Sequence, residues 1–305
     1  MKFVVVLTAR FPDIARDLLA PHFDVVEHPT EHNRSEEDMI TLLAEADAAI
    51  TLLSDPITRR VLEENPNLRC VSNFAVGYNN VDIAAARELG VTVTNTPGVL
   101  TEATADLTMA LILAVTRRII EGDALLRREE RCEWDPLMLR GPGLQGKTLG
   151  IVGMGRIGNA VATRARAFGM EIVSVRRGDS LDELLATSDI VSLHAPLSAE
   201  THHLIDAHAL AKMKRGAYLV NTARGALVDE AALCDALESK HLGGAALDVY
   251  EFEPQINPRL FQLDNVVLMP HIGSATVEAR DAMARIAATN VLLFLRGKEP
   301  LHRVV

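Results

Sequence analysis

Aromatic side chains are scarce in this chain of 305 residues: they make up 4% of it, with one Trp and three Tyr. Cysteine is rarer still. Cys70, Cys132 and Cys234 are far apart and odd in number, which argues against a disulfide framework and for a reducing compartment. They show no metal-ligand spacing, and no metal site is expected. Positive charge is in deficit, with 31 Lys and Arg against 41 Asp and Glu, a formal net charge of −10. A nucleic-acid partner needs a basic face and is not expected, although a local basic pocket for an anion remains open. Long apolar runs are absent too. The longest, Met109 to Val115, falls far short of the ~20 residues of a membrane span. The N-terminal run Phe3–Leu7 is interrupted by Arg10 and Asp13 too early for a secretory signal. A cytoplasmic protein with no membrane partner is expected.

What the chain does have is aliphatic material. Hydrophobic residues make up 48%, mostly Ala, Val, Leu and Ile, a composition suited to parallel sheets covered by helices. At roughly 100–200 residues per domain, the length predicts two domains. Short apolar runs alternate with helical patterns. Phe3–Leu7, Val25–Val26, Ala48–Leu53, Cys70–Ser72 and Val91–Thr94 read as strands. Asp13–Leu19, Glu36–Glu45 and Ile83–Leu89 read as helices, the last capped by Gly90. After Thr96-Pro97-Gly98 a long helix is predicted over Thr101–Arg118, and residues 127–147 read as an extended loop. The rhythm restarts at Thr148–Val152, with strands at Glu171–Val175, Ile190–Leu193, Ala217–Val220, Gly244–Leu247 and Val266–Met269. Ser180-Leu181-Asp182-Glu183 fits a capping box that opens a helix. The period from Ser274 to Arg296 is helical again. The expected fold class is α/β: two doubly wound parallel-sheet domains, Rossmann-like or flavodoxin-like, with a cleft between them.

The Thr101–Arg118 helix carries Leu107, Ala110, Leu111, Leu113, Ala114 and Val115 over several faces. A surface helix needs a single apolar stripe, so the excess predicts a homodimer through this region, with core burial as the alternative.

Gly153-Met154-Gly155-Arg156-Ile157-Gly158 follows the Leu149–Val152 strand and opens a helix, the context a dinucleotide fingerprint requires. Gly153 permits the tight turn, Gly155 lets the backbone approach a pyrophosphate, and Gly158 lets helix and strand pack closely. The amides of Arg156 and Ile157 can receive phosphate oxygens. At the end of the next strand an Asp or Glu would select NAD. Here stand Arg176 and Arg177, whose guanidinium groups match a 2′-phosphate. NADP is therefore the expected cofactor, with NAD possible.

Polar residues follow the later strands: His194, Asn221 to Gly225, Asp248 with Glu251 and Glu253, and His271. Doubly wound sheets bind ligands beyond these carboxyl ends. An Arg to clamp a carboxylate, a His to protonate a carbonyl oxygen and a carboxylate to hold that His suit hydride chemistry on a 2-oxo acid.

Five stretches carry a family resemblance: Asn73–Asp82, the glycine fingerprint, Asn221–Gly225, Asp248–Pro254 and Pro270–Thr276. Along nearly its whole length the chain resembles the D-isomer-specific 2-hydroxyacid dehydrogenases. Asn73–Asp82 and Thr96–Asp106 look most like the glyoxylate/hydroxypyruvate reductase branch. The resemblance implies a substrate-binding domain of residues 1–98 completed by 277–305, a dinucleotide-binding domain of residues 99–276, and a dimer. It implies that Arg224 binds substrate carboxylate, that His271 is the acid in reduction and that Glu253 pairs with it, while Glu251 matches no catalytic position. Val76 and Gly77 would hold the carboxylate through their amides, with Leu53 near the substrate. Asp248 and Thr222 would face the nicotinamide or its ribose. Thr104 would approach the phosphates, and Ala195 and Pro196 would flank the adenosine. His194, Ala223 and Gly273 complete the expected cofactor contacts.

Two departures stand out. The stretch between Val175 and Leu181 is shorter than the family norm, and Met138 replaces a second aromatic after Trp134-Asp135-Pro136-Leu137. The function expected is NADPH-dependent reduction of glyoxylate or hydroxypyruvate. The alternatives are a dehydrogenase for a bulkier D-2-hydroxyacid and a non-catalytic, nucleotide-sensing protein of corepressor type.

Overall fold

A computed structural model describes residues 2–29, 32–129, 133–175 and 178–305. The chain forms two compact units, residues 1–100 with 275–305, and residues 101–274.

In unit 1 the elements run β1 (Val4–Leu7), α1 (Ile14–Leu19), β2 (Asp24–Glu27), α2 (Glu36–Leu43), β3 (Ala48–Thr51), α3 (Arg59–Glu64), β4 (Cys70–Asn73), α4 (Ile83–Leu89) and β5 (Thr92–Thr94). The five strands are parallel, in the order β2-β1-β3-β4-β5. Every residue of β3 and β4 is buried, as a strand covered on both faces requires. One face packs Val6, Ala49 and Val71 against Met39, Leu43 and Val61 from α2 and α3. Gly90 ends α4 in the left-handed region, φ 73°, and its amide closes the helix on the Ala86 and Arg87 carbonyls.

Unit 2 begins with α5 (Thr101–Thr116) and α6 (Ile119–Glu129). It continues with β6 (Thr148–Val152), α7 (Arg156–Ala167), β7 (Glu171–Val175), α8 (Asp182–Thr187), β8 (Ile190–Leu193), α9 (Ala207–Lys212), β9 (Tyr218–Asn221), α10 (Glu230–Glu238), β10 (Gly244–Leu247) and β11 (Val266–Leu268). The six strands are parallel, in the order β11-β10-β9-β8-β6-β7. Successive strand residues feed two separate cores. Val191, Leu193 and Leu219 join one; Ile190, Val220 and Ala246 join the other. The chain then returns to unit 1 as α11 (Val277–Leu295), which packs on α1, β3 and β4. Ser72 donates its hydroxyl to the Ala287 carbonyl at 3.1 Å. Cys70 and Cys234 are buried free thiols, and Cys132 lies outside the described residues.

Three local expectations need correction. Ser180 does not cap α8. Leu181 occupies the N-cap position without a side-chain bond, and the Ser180 hydroxyl accepts the Asp182 amide at 3.2 Å. The serine closes a short turn one residue early, too far back for the reciprocal bond of a capping box. Such a box does form at α2, where Ser35 and Asp38 bond each other's amides. The helix expected over Thr101–Arg118 stands as α5 and ends at Thr116, but the stretch read as an extended loop is not all loop: after Arg118, φ 53°, α6 runs into it as far as Glu129. Finally, the apolar side chains read over several faces of α5 are in part core: Leu111 and Val115 are buried with Leu149, Ile151 and Val161, Leu107, Leu113 and Ala114 are half-buried, and Ala110 is exposed. Among the described residues, no helix is long and apolar enough to cross a membrane.

Candidate active site

The glycine turn between β6 and α7 has the geometry its sequence demands. Gly153 sits at φ 97°, and a Cβ there would lie 2.5 Å from the Ala195 nitrogen. A Cβ at Gly158 would lie 2.3 Å from the Gly153 carbonyl oxygen. Both positions exclude any larger residue. Gly155 is the N-cap of α7 without a side-chain cap, and a Cβ there meets nothing within 4 Å. The first amides of α7, at Arg156 and Ile157, thus adjoin open space, the setting in which a helix N-terminus receives a phosphate. A cavity of about 1030 Å³ runs beside this turn, lined by Gly153, Met154, Val175, Ala195, Pro196 and Leu204. The residues present therefore fit a dinucleotide. Asp179, Glu200 and Thr201 also line the cavity; Asp179 was legible in the sequence as a neighbour of the arginine pair, the other two were not. Arg176 and Arg177 lie outside the described residues.

His194 follows β8, its Nε2 2.9 Å from the Ser192 hydroxyl. Burial pushes its pKa down from 6.5 to about 4, so the ring is neutral at physiological pH. The unfolded chain takes up this proton near 6.5 while the folded chain resists it. The stabilising contribution is complete above about pH 6.5 and is lost as pH falls toward 4. The Tm of the wild type should drop more steeply than that of His194→Gln as pH is lowered through this window. Equal slopes would show that another group controls the acid limb.

The strand-end residues gather at β9, β10 and β11. His271 Nδ1 lies 2.9 Å from Glu253 Oε2, and Glu253 Oε1 accepts the Tyr250 amide at 2.8 Å. One carboxylate thus orients the ring while its other oxygen is fixed to the backbone, which leaves His271 Nε2 as the nitrogen for substrate. The His271 backbone is left-handed, φ 54°. The chain beside it is held by Asp248, which is 1% exposed and accepts the amides of Ile272 at 2.7 Å and Gly273 at 2.8 Å. Burial raises the Asp248 pKa against the pull of these bonds and of His271. Both Asp248 oxygens are committed to this loop, so the residue expected at the nicotinamide also positions the catalytic candidate.

Arg224 stands on the turn after β9. Asn221 receives the Ala223 amide at 3.0 Å and donates to the Arg224 carbonyl at 2.8 Å, closing the turn. Arg224 Nη1 donates to the Ala223 carbonyl at 2.6 Å. Desolvation lowers the guanidinium pKa, and the Glu253 carboxylate opposes it. Arg224, Glu253 and His271 therefore form one electrostatic group within unit 2. Gly225 makes the approach possible: a Cβ there would lie 1.8 Å from the Tyr250 carbonyl carbon.

The neighbouring cofactor candidates are interlocked. Thr104 donates its hydroxyl to the Gly273 carbonyl at 3.0 Å, Thr108 donates to the Thr104 carbonyl at 2.8 Å, and the Thr108 and Thr222 hydroxyls meet at 2.9 Å. Thr108 is a residue that sequence reasoning missed.

In unit 1, Leu53 lies just after β3, and Val76 and Gly77 lie just after β4. Three asparagines set these loops. Asn95 donates to the Val76 carbonyl at 2.8 Å and Asn73 to the Gly77 carbonyl at 2.9 Å. Asn80 donates to the carbonyls of Leu52 and Asp55, tying the two loops together. Side-chain amides pin these peptide groups, and because a carbonyl shares its plane with the next residue's N–H, the hold on the Val76 carbonyl fixes where the Gly77 N–H points. The asparagines' signal was present within and near the Asn73–Asp82 stretch, but their partners were not legible.

Comparison with known proteins agrees with this arrangement. Residues 109–273 match the family model described as D-isomer specific 2-hydroxyacid dehydrogenase, NAD binding domain. A glyoxylate reductase of Thermococcus litoralis is 44% identical, across 100% of this chain and 97% of its own. The crystal structure of a protein from Thermus thermophilus superposes with a TM-score of 0.93 at 45% identity, covering 99% of this chain and 100% of that one. An NADPH-dependent glyoxylate/hydroxypyruvate reductase from Sinorhizobium meliloti, solved with NADP and malonate, gives 0.85 at 31% identity, over 100% of this chain and 97% of that one.

Proposed function

Because the chain belongs to the D-isomer specific 2-hydroxyacid dehydrogenase family, we propose that it reduces a small 2-oxo acid, glyoxylate or hydroxypyruvate, with NADPH preferred over NADH. The observation that carries this reading is the His271–Glu253 pair beside Arg224, in the same unit as a glycine turn shaped for a dinucleotide. A bound nicotinamide cofactor supplies the hydride. Gly153, Gly155, Gly158 and the amides of Arg156 and Ile157 hold its pyrophosphate, with Thr104 nearby. Ala195, Pro196 and His194 bound its adenosine side, and Thr222, Ala223, Asp248 and Gly273 its nicotinamide side. Arg224 binds the substrate carboxylate and polarises the carbonyl. His271 Nε2 gives its proton to the carbonyl oxygen, and Glu253 stabilises the imidazolium before that transfer. The Val76 and Gly77 amides serve the carboxylate, with Leu53 limiting side-chain size. The activities of the Thermococcus and Sinorhizobium relatives support the substrate class, and the latter's NADP complex supports the cofactor.

A panel of 2-oxo acids assayed with NADPH and NADH tests the reading. Glyoxylate and hydroxypyruvate should give higher kcat/KM than phenylpyruvate; the reverse order would overturn the small-pocket reading. A charge-assisted contact to a 2′-phosphate contributes about 1.5–3 kcal/mol, or roughly 10–150-fold in favour of NADPH. Arg177→Ala should remove most of that preference and Arg176→Ala less. Equal or better use of NADH by the wild type would overturn NADP selectivity and leave the dehydrogenase chemistry intact.

The same reading includes a homodimer. Its face is the region of the 101–118 helix, where Leu107, Leu113 and Ala114 are half-buried and Ala110 is exposed, continued by the exposed Ile119, Ile120 and Leu126 on α6. Light scattering at micromolar concentration should return twice the chain mass. A monomeric mass would remove the dimer.

A further inference from the structure

Outside the catalytic group, unit 2 holds a second cluster of donor side chains. His202 and His203 are adjacent in sequence, and their rings stack at 4.0 Å with 28° between planes. Consecutive side chains normally diverge. Here His203 is left-handed, φ 50°, which brings both rings to one side. Glu251, from the segment after β10, meets them: its Oε1 lies 2.6 Å from His203 Nε2. One ligand atom from each of His202, His203 and Glu251 falls within 4.8 Å of the other two.

The group is built on a firm base. The His203 amide donates to the Ala226 carbonyl at 2.9 Å, and the Ile205 amide donates to the Leu227 carbonyl at 2.9 Å. Glu251 Oε2 accepts the Glu230 amide at 3.1 Å, and Glu230 Oε1 accepts the Glu251 amide at 2.6 Å. Glu251 is therefore held by its far oxygen while the near one faces the imidazoles. A carboxylate anchored from behind is the support that metal-binding carboxylates require. His202 is exposed, so the cluster is open to solvent on one side.

We propose that His202, His203 and Glu251 form a divalent transition-metal site, of which Zn²⁺ is the natural occupant. Two imidazole nitrogens and one carboxylate oxygen are a known zinc donor set, with the fourth position left to water. Hard ions such as Mg²⁺ and Ca²⁺ prefer oxygen donors and are disfavoured. Zinc 2.0–2.1 Å from each nitrogen holds its tetrahedral donors roughly 3.4 Å apart. His202, exposed, rotates to bring its nitrogen in, and His203 Nε2 and Glu251 Oε1 part by about 0.8 Å as the ion takes the place of the proton between them. The ion would pin the turn around His203 to the segment after β10. The site is distinct from Arg224, Glu253 and His271 in its ligands, and it does not depend on the proposed substrate or cofactor.

The test uses full-length, tag-free, metal-stripped protein titrated with Co²⁺ as a visible probe and with Zn²⁺ in competition. The wild type should develop ligand-field absorption with one equivalent of Co²⁺, bleached by Zn²⁺, and its Tm should rise with Zn²⁺. His202→Ala should weaken Zn²⁺ binding by at least about 10–100-fold, the loss typical even of a supporting residue, while leaving dehydrogenase activity without metal unchanged. Glu251→Gln should act likewise on binding, and a melt without metal separates that loss from unfolding. Absence of the Co²⁺ spectrum in the wild type at micromolar protein would overturn the site. So would a spectrum and a Zn²⁺ affinity unchanged in His202→Ala.

Discussion

His271→Ala is expected to lose about 10²–10⁴-fold in kcat for reduction, the range spanned by a positioned proton donor. The ring is held at Nδ1 by Glu253 and its backbone by Asp248 through Ile272 and Gly273. Alanine keeps the backbone hold of Asp248 on the loop and deletes the ring, with its proton and its bond to Glu253. Binding of NADPH, followed by its fluorescence, should survive because none of the glycine-turn residues is touched. Glu253→Gln separates orientation from charge. The amide still meets Nδ1, but the imidazolium loses its anionic partner, so the alkaline limb of the pH–rate profile for reduction should move to lower pH. Wild-type turnover by His271→Ala would end the assignment of the proton donor. An unmoved limb in Glu253→Gln would show that the carboxylate acts only as a hydrogen-bond acceptor.

Arg224→Ala should lose a similar amount through a different parameter. Hydrogen bonds to a charged group contribute about 1.5–3 kcal/mol each. A two-pronged clamp on a carboxylate is therefore worth roughly 3–6 kcal/mol, or about 10²–10⁴-fold in kcat/KM. The loss should appear in KM for the oxo acid as well as in kcat, because the same group binds the carboxylate and polarises the carbonyl. Arg224→Lys should recover little, since an ammonium presents a point charge where two parallel donors are needed. Steady-state kinetics at saturating NADPH, with circular dichroism to check the fold, decide the matter. An unchanged kcat/KM in Arg224→Ala would remove Arg224 from the substrate site.

Much of this architecture was legible in the sequence because its causes are local. The strands β6, β8 and β10 stand where their apolar runs do, since a strand buried on both faces must be continuously hydrophobic. Gly153 and Gly158 could be assigned because each serves a backbone need that other residues cannot meet. The order Arg224, Glu253, His271 along the chain, each just past a strand, was enough to place all three at one end of a parallel sheet. The helix α6 was missed for a local reason too: charged residues and Gly122 crowd its sequence, so it lacks the apolar content that marks a buried helix.

Other features were decided only by which distant segments the sheet brings side by side. Asp248 could be read as a strand-end carboxylate, but not as the acceptor of two amides 24 and 25 residues away. Asn73, Asn80 and Asn95 were visible as polar residues near a turn; that they hold the peptides of Val76, Gly77 and Leu52 required β3 beside β4. Which apolar side chains of α5 enter the core of unit 2, as Leu111 and Val115 do, and which stay half-buried, as Leu107 and Leu113 do, was equally illegible. His202, His203 and Glu251 matched no spacing because 48 residues separate the second His from the carboxylate. Periodicity and backbone demand are written in neighbouring residues. The meeting of polar atoms depends on strand order, which decides which distant segments lie side by side.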